Sequence, residues 1–435
     1  MNIFPDIKLY KNCINLQSIE RLILYLLFVL TDDFYGFGTI YSNKTPSTID
    51  YQWLDYRFGI FSFIIILFGA ITAFIRKDKL VLPVIFLFVI REFVFFVTTS
   101  NNCISEGSYE IYLSLIFAFL MISIVLNANQ TMEEKELFIL RAIFLNILIV
   151  YISLAMNLNK IPNRYNAPNM DVEATGAMCG IAFLFCLFNN RLKYKFLLSI
   201  FAFGGIVLSG SRTSWIIAMI IAVIGILLMI VRNEKINPYV LNTIAIIITL
   251  IIILSSVAII LIAIFNINIR IINESEIIAR MVDTLDSSNM KNDSSFQGRM
   301  LSISIGFKII EKNIFGISGY VTNLQIETQK YGFDTFPHST LLVYYILLGP
   351  IVIALIFWMI YTIQRAYKKK LVYFLTTLYT FAFLCATGAP IVSFKPIFFY
   401  LFIFMLANES TCEYSDKRNR TKLQNRYDGI AKRLS

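Results

Sequence analysis

The sequence is poor in charged residues and contains one histidine, His338. Charged residues make up 15% of the 435 positions and hydrophobic residues 57%, whereas ordinary soluble domains carry roughly 25% charged residues. About a dozen apolar stretches are long enough to cross or nearly cross a bilayer. These features exclude an ordinary soluble domain. They predict an all-α integral membrane protein in which residues 1–435 form a single polytopic helix bundle.

The common motifs of nucleotide and zinc sites are also missing. The chain has no Walker loop, GxGxxG, HExxH or CxxC, and its six cysteines lack metal-ligand spacing. The net charge of +10 does not indicate nucleic-acid binding, because the basic residues lie in short loops and in the tail, as in membrane proteins that follow the positive-inside rule. We therefore expect no cofactor, no bound metal and no nucleic-acid partner.

Hydropathy predicts twelve membrane spans, with a large loop between spans 9 and 10. The loops assigned to the cytoplasm carry far more Lys and Arg than the short outward loops, so both termini are expected in the cytoplasm. Residues 266–336 then form a large periplasmic loop, and residues 408–435 form a basic cytoplasmic tail. The predicted spans are 18–38, 57–75, 80–99, 109–126, 137–157, 173–189, 195–210, 213–231, 239–265, 337–361, 371–388 and 394–407.

The large loop contains a helical pattern of its own. The pattern predicts an amphipathic helix that opens at Arg299 and lies by its apolar face on the membrane or against the bundle. A glycine-punctuated turn at 313–320 follows this helix, and the polar stretch 283–298 is expected to be a mobile surface segment. The apolar residues at helical spacing are Met300, Ile303, Phe307, Ile310 and Ile314.

His338 lies where the large loop meets span 10, in the stretch 336–349. Histidine titrates near neutral pH, so it can accept or donate a proton at this membrane surface. The functional interpretation is a general base at the outer mouth of a cavity. The alternative is a histidine that packs or caps at a helix start. Asp334 and Ser339, close to His338 on either side, are candidate supporting residues.

Three arginines fall on the same predicted outer side as His338. Arg212 follows Ser-Gly-Ser between spans 7 and 8, where helix N–H groups and a bidentate guanidinium both favour a phosphate. Arg164 lies in a short outward loop, and Arg299 opens the loop helix. Each alone could be a solvated or interfacial charge. Together with the histidine they predict a site for an anion delivered at the membrane surface.

Arg91 and Glu92 fall near the middle of span 3. Charge is costly inside a bilayer, so intramembrane charged residues are functional-site candidates. Adjacent residues on a helix do not face each other, so each is expected to reach a different partner or a water-filled cavity. The alternative is a structural ion pair between helices.

These motifs resemble those of the O-antigen polymerase and O-antigen ligase superfamily, which are bacterial membrane glycosyltransferases. His338-Ser339, with the leucines after it and Gly349, resembles the family pattern that follows the large loop, although Ser339 stands where Asn is commoner. The resemblance covers about residues 160–350. Its other motifs are the Ser-Arg turn at Ser209 to Thr213, the loop helix at Arg299 to Gly319, and a looser Arg–Pro–Asn motif at Arg164 to Asn169.

The resemblance implies glycosyl transfer at the outer face of the bacterial inner membrane, without nucleotide or metal. Donor and acceptor are oligosaccharides on undecaprenyl pyrophosphate within the membrane lipid, and the pyrophosphate is the leaving group. His338 would take the proton of the acceptor hydroxyl, and a chain-length regulator is a further expected partner. The residues expected to neutralise the pyrophosphate are Arg212, Arg299, Arg164 and Arg91.

The first interpretation is a polymerase of oligosaccharide repeat units. The second is a ligase that transfers the glycan to lipid A-core, and the motifs do not separate the two. A transporter or flippase is the rival class, although the chain lacks the internal repeats of many transporters. A second enzymatic rival would use carboxylates and a metal ion. Its candidate ligands are Asp32, Asp33, Asp171 and Glu173.

Overall fold

The computed structural model of the chain describes residues 118, 122, 131–155, 165–167, 170–231, 294–317, 321–333, 336–387 and 397–409. Within these ranges the chain is all-helical and contains no strand, as the composition predicts. The helices are α1 (Met132–Ala155), α2 (Val172–Phe188), α3 (Lys195–Ser209), α4 (Arg212–Val231), α5 (Ser294–Lys312), α6 (Val321–Gln329), α7 (Thr340–Leu348), α8 (Ile351–Tyr367), α9 (Leu371–Ala386) and α10 (Ile397–Glu409).

Two of the described helices, α1 and α4, are long and apolar enough to cross a membrane. Helices α2, α3, α8, α9 and α10 are apolar but shorter. All seven overlap predicted spans, and their ends differ from the predicted ones by a few residues except where a predicted span is divided. The count of twelve spans and the sidedness of the large loop stay predictions, because the other predicted spans lie largely outside the described residues.

Helix α2 is the centre of the bundle and packs against α1, α3, α4 and α9. Every residue from Ala174 to Phe188 is buried, as expected for a helix that is apolar on all sides. Its second turn approaches the α3–α4 connection closely. A Cβ on Gly176 would lie 2.7 Å from Ser214 Oγ and 2.8 Å from Ser209 Oγ, so glycine permits this contact.

The described contacts sort into two ends of the bundle. At one end, Thr340 donates from its backbone N–H to the Thr387 carbonyl at 2.6 Å, which joins the start of α7 to the end of α9. We call this the His338 end. At the opposite end, Lys135 pairs with Glu409 and Tyr373 donates to Glu136. The alternation of helix directions agrees with the predicted antiparallel spans.

The predicted span 337–361 is wrong as one continuous helix, because it is divided into α7 and α8. Gly349 adopts φ +74° and ψ −153°, and Pro350 follows it. Proline lacks the N–H that an uninterrupted helix would use, and the glycine conformation is one that other residues rarely adopt. A Cβ on Gly349 would lie 2.3 Å from the Phe315 carbonyl oxygen, so the break is also where the loop turn packs.

The loop helix exists, but its predicted start is wrong. Helix α5 begins at Ser294, so the end of the predicted mobile segment is helical and Arg299 lies in the second turn. Of the predicted apolar face, Met300, Phe307 and Ile314 are exposed, whereas Ile303 and Ile310 are partly buried against the core. The residues that α5 buries are Ser302, Ile305, Gly306 and Ile309.

Candidate active site

The connection between α3 and α4 places Arg212 in the first turn of a helix. Gly210 adopts φ +65° and closes α3 by donating to the Val207 carbonyl at 2.9 Å. Ser211 Oγ then lies 2.7 Å from Ser214 Oγ and accepts from the Ser214 N–H at 3.3 Å, which caps α4. The half-buried Arg212 is therefore held at an ordered helix start, where the first N–H groups point away from the helix.

Arg299 joins three helices at the His338 end. Its Nη1 donates to Thr213 Oγ1 at 3.2 Å, so α5 is connected to the residue directly after Arg212. Its Nη2 lies 3.7 Å from Glu173 Oε1 in the first turn of α2. The structure thus brings Arg299 to the turn that carries Arg212, which we call the Arg212 turn. This agrees with the assignment of both residues to the same side of the membrane.

His338 is tied to Arg299 through a buried serine. The His338 backbone N–H donates to Ser302 Oγ at 3.0 Å, and the same hydroxyl donates to the Arg299 carbonyl at 2.7 Å. Ser302 is one turn after Arg299 on α5 and is fully buried. The segment that carries His338 is therefore fixed against the helix that carries Arg299.

Ser339 has a structural function that the sequence did not assign to it. Its side chain accepts from the Leu342 N–H at 3.4 Å and its backbone is extended, which makes it the N-cap of α7. A serine cap stabilises a helix by about 1 kcal/mol relative to alanine. Because Ser339 caps the helix, His338 lies just outside α7 and is not part of the helix.

Two features of the surroundings keep the His338 imidazole neutral. Partial burial lowers the pKa of His338, and the positive charge of Arg299 lowers that pKa further. The Nδ1 atom is buried and has no hydrogen-bond partner among the residues that the structure describes. A neutral imidazole has one nitrogen that can accept a proton, so the side chain is suited to act as a base at neutral pH.

The Asp171–Glu173 pair is arranged as part of the bundle. Asp171 Oδ1 accepts from the Ala174 N–H at 2.5 Å and caps α2. Burial raises the pKa of Asp171, and this hydrogen bond opposes the rise. The Glu173 carboxylate lies beside the Arg299 guanidinium. No group of three His, Cys, Asp or Glu within the described ranges could hold a metal ion.

Three residues near the site were missed by sequence reasoning. Thr213 and Ser302 contact Arg299. The only sequence signal for Thr213 is that it follows Arg212, and the only one for Ser302 is that it lies one helical turn after Arg299. Tyr400 on α10 is 2% exposed, and its hydroxyl has no hydrogen-bond partner in the described part of the chain. The Asp171 and Glu173 carboxylates are among its electrostatic neighbours. The sequence contains 23 tyrosines, and no motif distinguishes Tyr400 from the others.

Several predicted residues lie outside the described residues, and the structure provides no test of them. The residue after Arg164 is described, and the Tyr165 N–H donates to the Leu208 carbonyl at 3.0 Å, close to the Arg212 turn. The predicted residues outside the described ranges are Arg91, Glu92, Arg164, Asp334, Asp32 and Asp33.

The comparison with known families identifies a related domain. Residues 197–357 match the family model described as O-antigen ligase, and no curated protein matches the chain. The matched segment includes Arg212, Arg299 and His338. The match confirms the resemblance to the O-antigen polymerase and ligase superfamily over this segment. It does not distinguish a polymerase from a ligase.

Proposed function

We propose that this chain is a member of the O-antigen polymerase and ligase superfamily. We propose further that it polymerises oligosaccharide repeat units carried on undecaprenyl pyrophosphate. The observation that carries the proposal is the link between His338 and Arg299 through Ser302, beside the Arg212 turn. A base and two guanidinium groups at one end of a membrane bundle suit a reaction with a pyrophosphate leaving group.

The proposed step forms one bond and breaks another. The hydroxyl oxygen of the acceptor sugar attacks the anomeric carbon of the donor, and the bond from that carbon to the phosphate oxygen breaks. The pyrophosphate leaves with the electron pair, and His338 takes the hydroxyl proton. General-base catalysis of this kind contributes roughly 10²–10⁴-fold to the rate.

The arginines act on the charge that develops on the leaving group. Electrostatic stabilisation of such charge by preorganised donors is usually the largest contribution to catalysis. Arg299 is preorganised by its hydrogen bond to Thr213, and Arg212 by the capped start of α4. Guanidinium groups bind phosphate oxygens bidentately, so the step as written uses no metal ion. Arg164 and Arg91 belong to the same proposal as further phosphate-binding residues.

The proposed site lies at the outer face of the inner membrane, with both termini in the cytoplasm. The charge bias of the loops supports this orientation. The contacts of Lys135 with Glu409 and of Glu133 with Arg191 lie at the end opposite His338. The carrier lipid would bring both donor and acceptor to the His338 end from the outer leaflet.

A ligase is the second candidate function, because the matched family model is itself described as O-antigen ligase. The two activities differ in the acceptor. A polymerase passes the glycan to another carrier-linked unit, whereas a ligase passes it to lipid A-core.

Reconstitution of the purified full chain in lipid nanodiscs tests these candidates. Carrier-linked repeat units are added with or without lipid A-core, and products are separated by length. A ladder that stays on the carrier supports the polymerase. Transfer only to lipid A-core supports the ligase, and loss of activity with a chelator supports the carboxylate and metal alternative. Movement of carrier-linked units across vesicle membranes without new glycosidic bonds would support a flippase.

A further inference from the structure

Glu173 places a carboxylate on one of the two arginines that the proposed function assigns to the pyrophosphate. Glu173 Oε1 lies 3.7 Å from Arg299 Nη2, and the two side chains are 23% and 32% exposed. The sequence suggested Glu173 only as a metal ligand in a rival mechanism. A negative charge at an anion site weakens the binding of the anion, so its presence there requires an explanation.

The backbone that presents Glu173 is fixed. Asp171 caps α2 through the Ala174 N–H, and Ser214 Oγ donates to the Glu173 carbonyl at 3.5 Å. From Ala174 onward α2 is buried at the centre of the bundle. The carboxylate therefore approaches Arg299 from a rigid element, and only its own side-chain torsions move it.

The two contacts of Arg299 differ in strength. Its bond to Thr213 Oγ1 at 3.2 Å has hydrogen-bond geometry, whereas the contact with Glu173 is long and partly exposed. Partly exposed ion pairs of this kind are weak, because solvent screens them. A pyrophosphate with several negative charges can displace the carboxylate while Thr213 keeps the guanidinium in place.

We propose that Glu173 is an exchange partner of Arg299, which yields the guanidinium to the pyrophosphate and takes it back when the pyrophosphate product leaves. Glu173 is thus a positioning residue that acts through Arg299. The proposal rests on the proposed function, since it gives Arg299 a pyrophosphate ligand. Its consequence is a compromise in which the donor binds less tightly than it otherwise would and the carrier pyrophosphate leaves faster.

The kinetic consequence distinguishes this role from a structural one. In Glu173→Gln the amide oxygen can still accept from Arg299, but the competing charge is gone. We expect the affinity for undecaprenyl pyrophosphate to rise about two- to fivefold, as expected for loss of a weak ionic competitor. The KM for the donor and kcat should fall together, because the product is retained. Glu173→Asp keeps the charge and should remain close to the wild type in affinity.

The experiment measures binding of undecaprenyl pyrophosphate to the purified full chain in nanodiscs, followed by steady-state kinetics. The matched control is Glu133→Gln, which removes a glutamate from an ion pair with Arg191 at the opposite end and should leave affinity unchanged. Equal affinity of wild type and Glu173→Gln, or weaker binding by the variant, overturns the exchange role. If neither the wild type nor Glu173→Gln binds the pyrophosphate, the proposed function itself fails. Melting temperatures show whether Glu173→Gln is folded, and Glu173→Ala, which also removes the charge, provides the test if it is not.

Discussion

Arg299 Nη1 donates a hydrogen bond to Thr213 Oγ1, although 86 positions separate the two residues. This contact joins the loop helix to the turn that carries Arg212. The same helix holds the His338 segment through Ser302. The sequence hypothesis depends on arginines from separate segments meeting near one histidine, and this contact brings the Arg299 side chain to the residue directly after Arg212.

Replacement of His338 by alanine should abolish glycan polymerisation while donor binding stays near normal. The imidazole is the proposed base, and no second histidine exists to replace it. The length distribution of carrier-linked glycan measures the effect, with the amount of protein in the membrane as the control. Wild-type ladders from His338→Ala would refute the general-base role.

The pH dependence of kcat/KM should report the surroundings of His338. Burial and the charge of Arg299 lower its pKa below the ordinary value of 6.5, so the imidazole stays mostly neutral at pH 6.5. Activity should therefore rise with pH and reach half its plateau below pH 6.5, since kcat/KM follows the free enzyme.

Arg299→Gln should move the acidic limb of this profile, the range in which activity rises with pH, to higher pH. The reason is that one of the two causes of the lowered pKa of His338 is removed. The plateau should also fall, because the leaving group loses a guanidinium. An acidic limb that stays in place in Arg299→Gln would show that another group controls it.

Arg212→Lys should lower activity strongly, by about 10²-fold or more, a loss within the range seen when one preorganised electrostatic donor is removed. Lysine retains the charge but cannot bind two phosphate oxygens through a planar fork. Initial rates of the reconstituted chain measure the effect. Arg191→Lys is the matched control, since Arg191 is an exposed partner of Glu133 at the opposite end. Equal rates for both variants would make Arg212 an interfacial anchor.

Much of the fold follows from local sequence. Long apolar runs predict helices because a bilayer leaves the backbone no other way to satisfy its hydrogen bonds, and the described helices follow the predicted spans. The Ser-Arg turn also follows from local sequence, because Gly210 closes one helix and Ser211 caps the next. His338 is predictable as a site residue because it is the one histidine of the chain, and Arg212 and Arg299 because their segments are predicted on the same side of the membrane.

The sequence predictions fail where contacts between distant segments determine the local structure. Hydropathy alone does not show that Gly349 and Pro350 divide a span, because the residues on both sides are apolar. The face that α5 buries is only partly visible in the sequence for a related reason. Beside Ile305 and Ile309 it contains two small residues, Ser302 and Gly306, and a Cβ on Gly306 would lie 2.6 Å from Leu342 Cδ2. A pattern that counts only large apolar residues leaves these two positions out.

Gly349→Ala should destabilise the protein, whereas Gly298→Ala should not. At Gly349 a Cβ would meet the Phe315 carbonyl oxygen at 2.3 Å and the backbone has φ +74°, so both sterics and conformation oppose alanine. At Gly298, within α5, nothing lies within 4 Å of an added Cβ, and alanine favours a helix by about 1 kcal/mol over glycine. Thermal unfolding in detergent compares the two variants, and equal melting temperatures would contradict the packing described at Gly349.

The orientation of the bundle can be tested with cysteines at two exposed positions, Lys308 and Arg191. Lys308 lies on the loop helix, and Arg191 lies in the turn between α2 and α3 at the opposite end. In a chain without its six native cysteines, Lys308→Cys should react with an impermeant maleimide in intact cells whose outer membrane is permeabilised. Arg191→Cys should react only after the inner membrane is opened. Both positions are exposed in the structure, so a difference in labelling reports the side of the membrane and not burial. Equal labelling after solubilisation serves as the control, and the reverse pattern would place His338 in the cytoplasm, where lipid-linked units at the outer leaflet could not reach it.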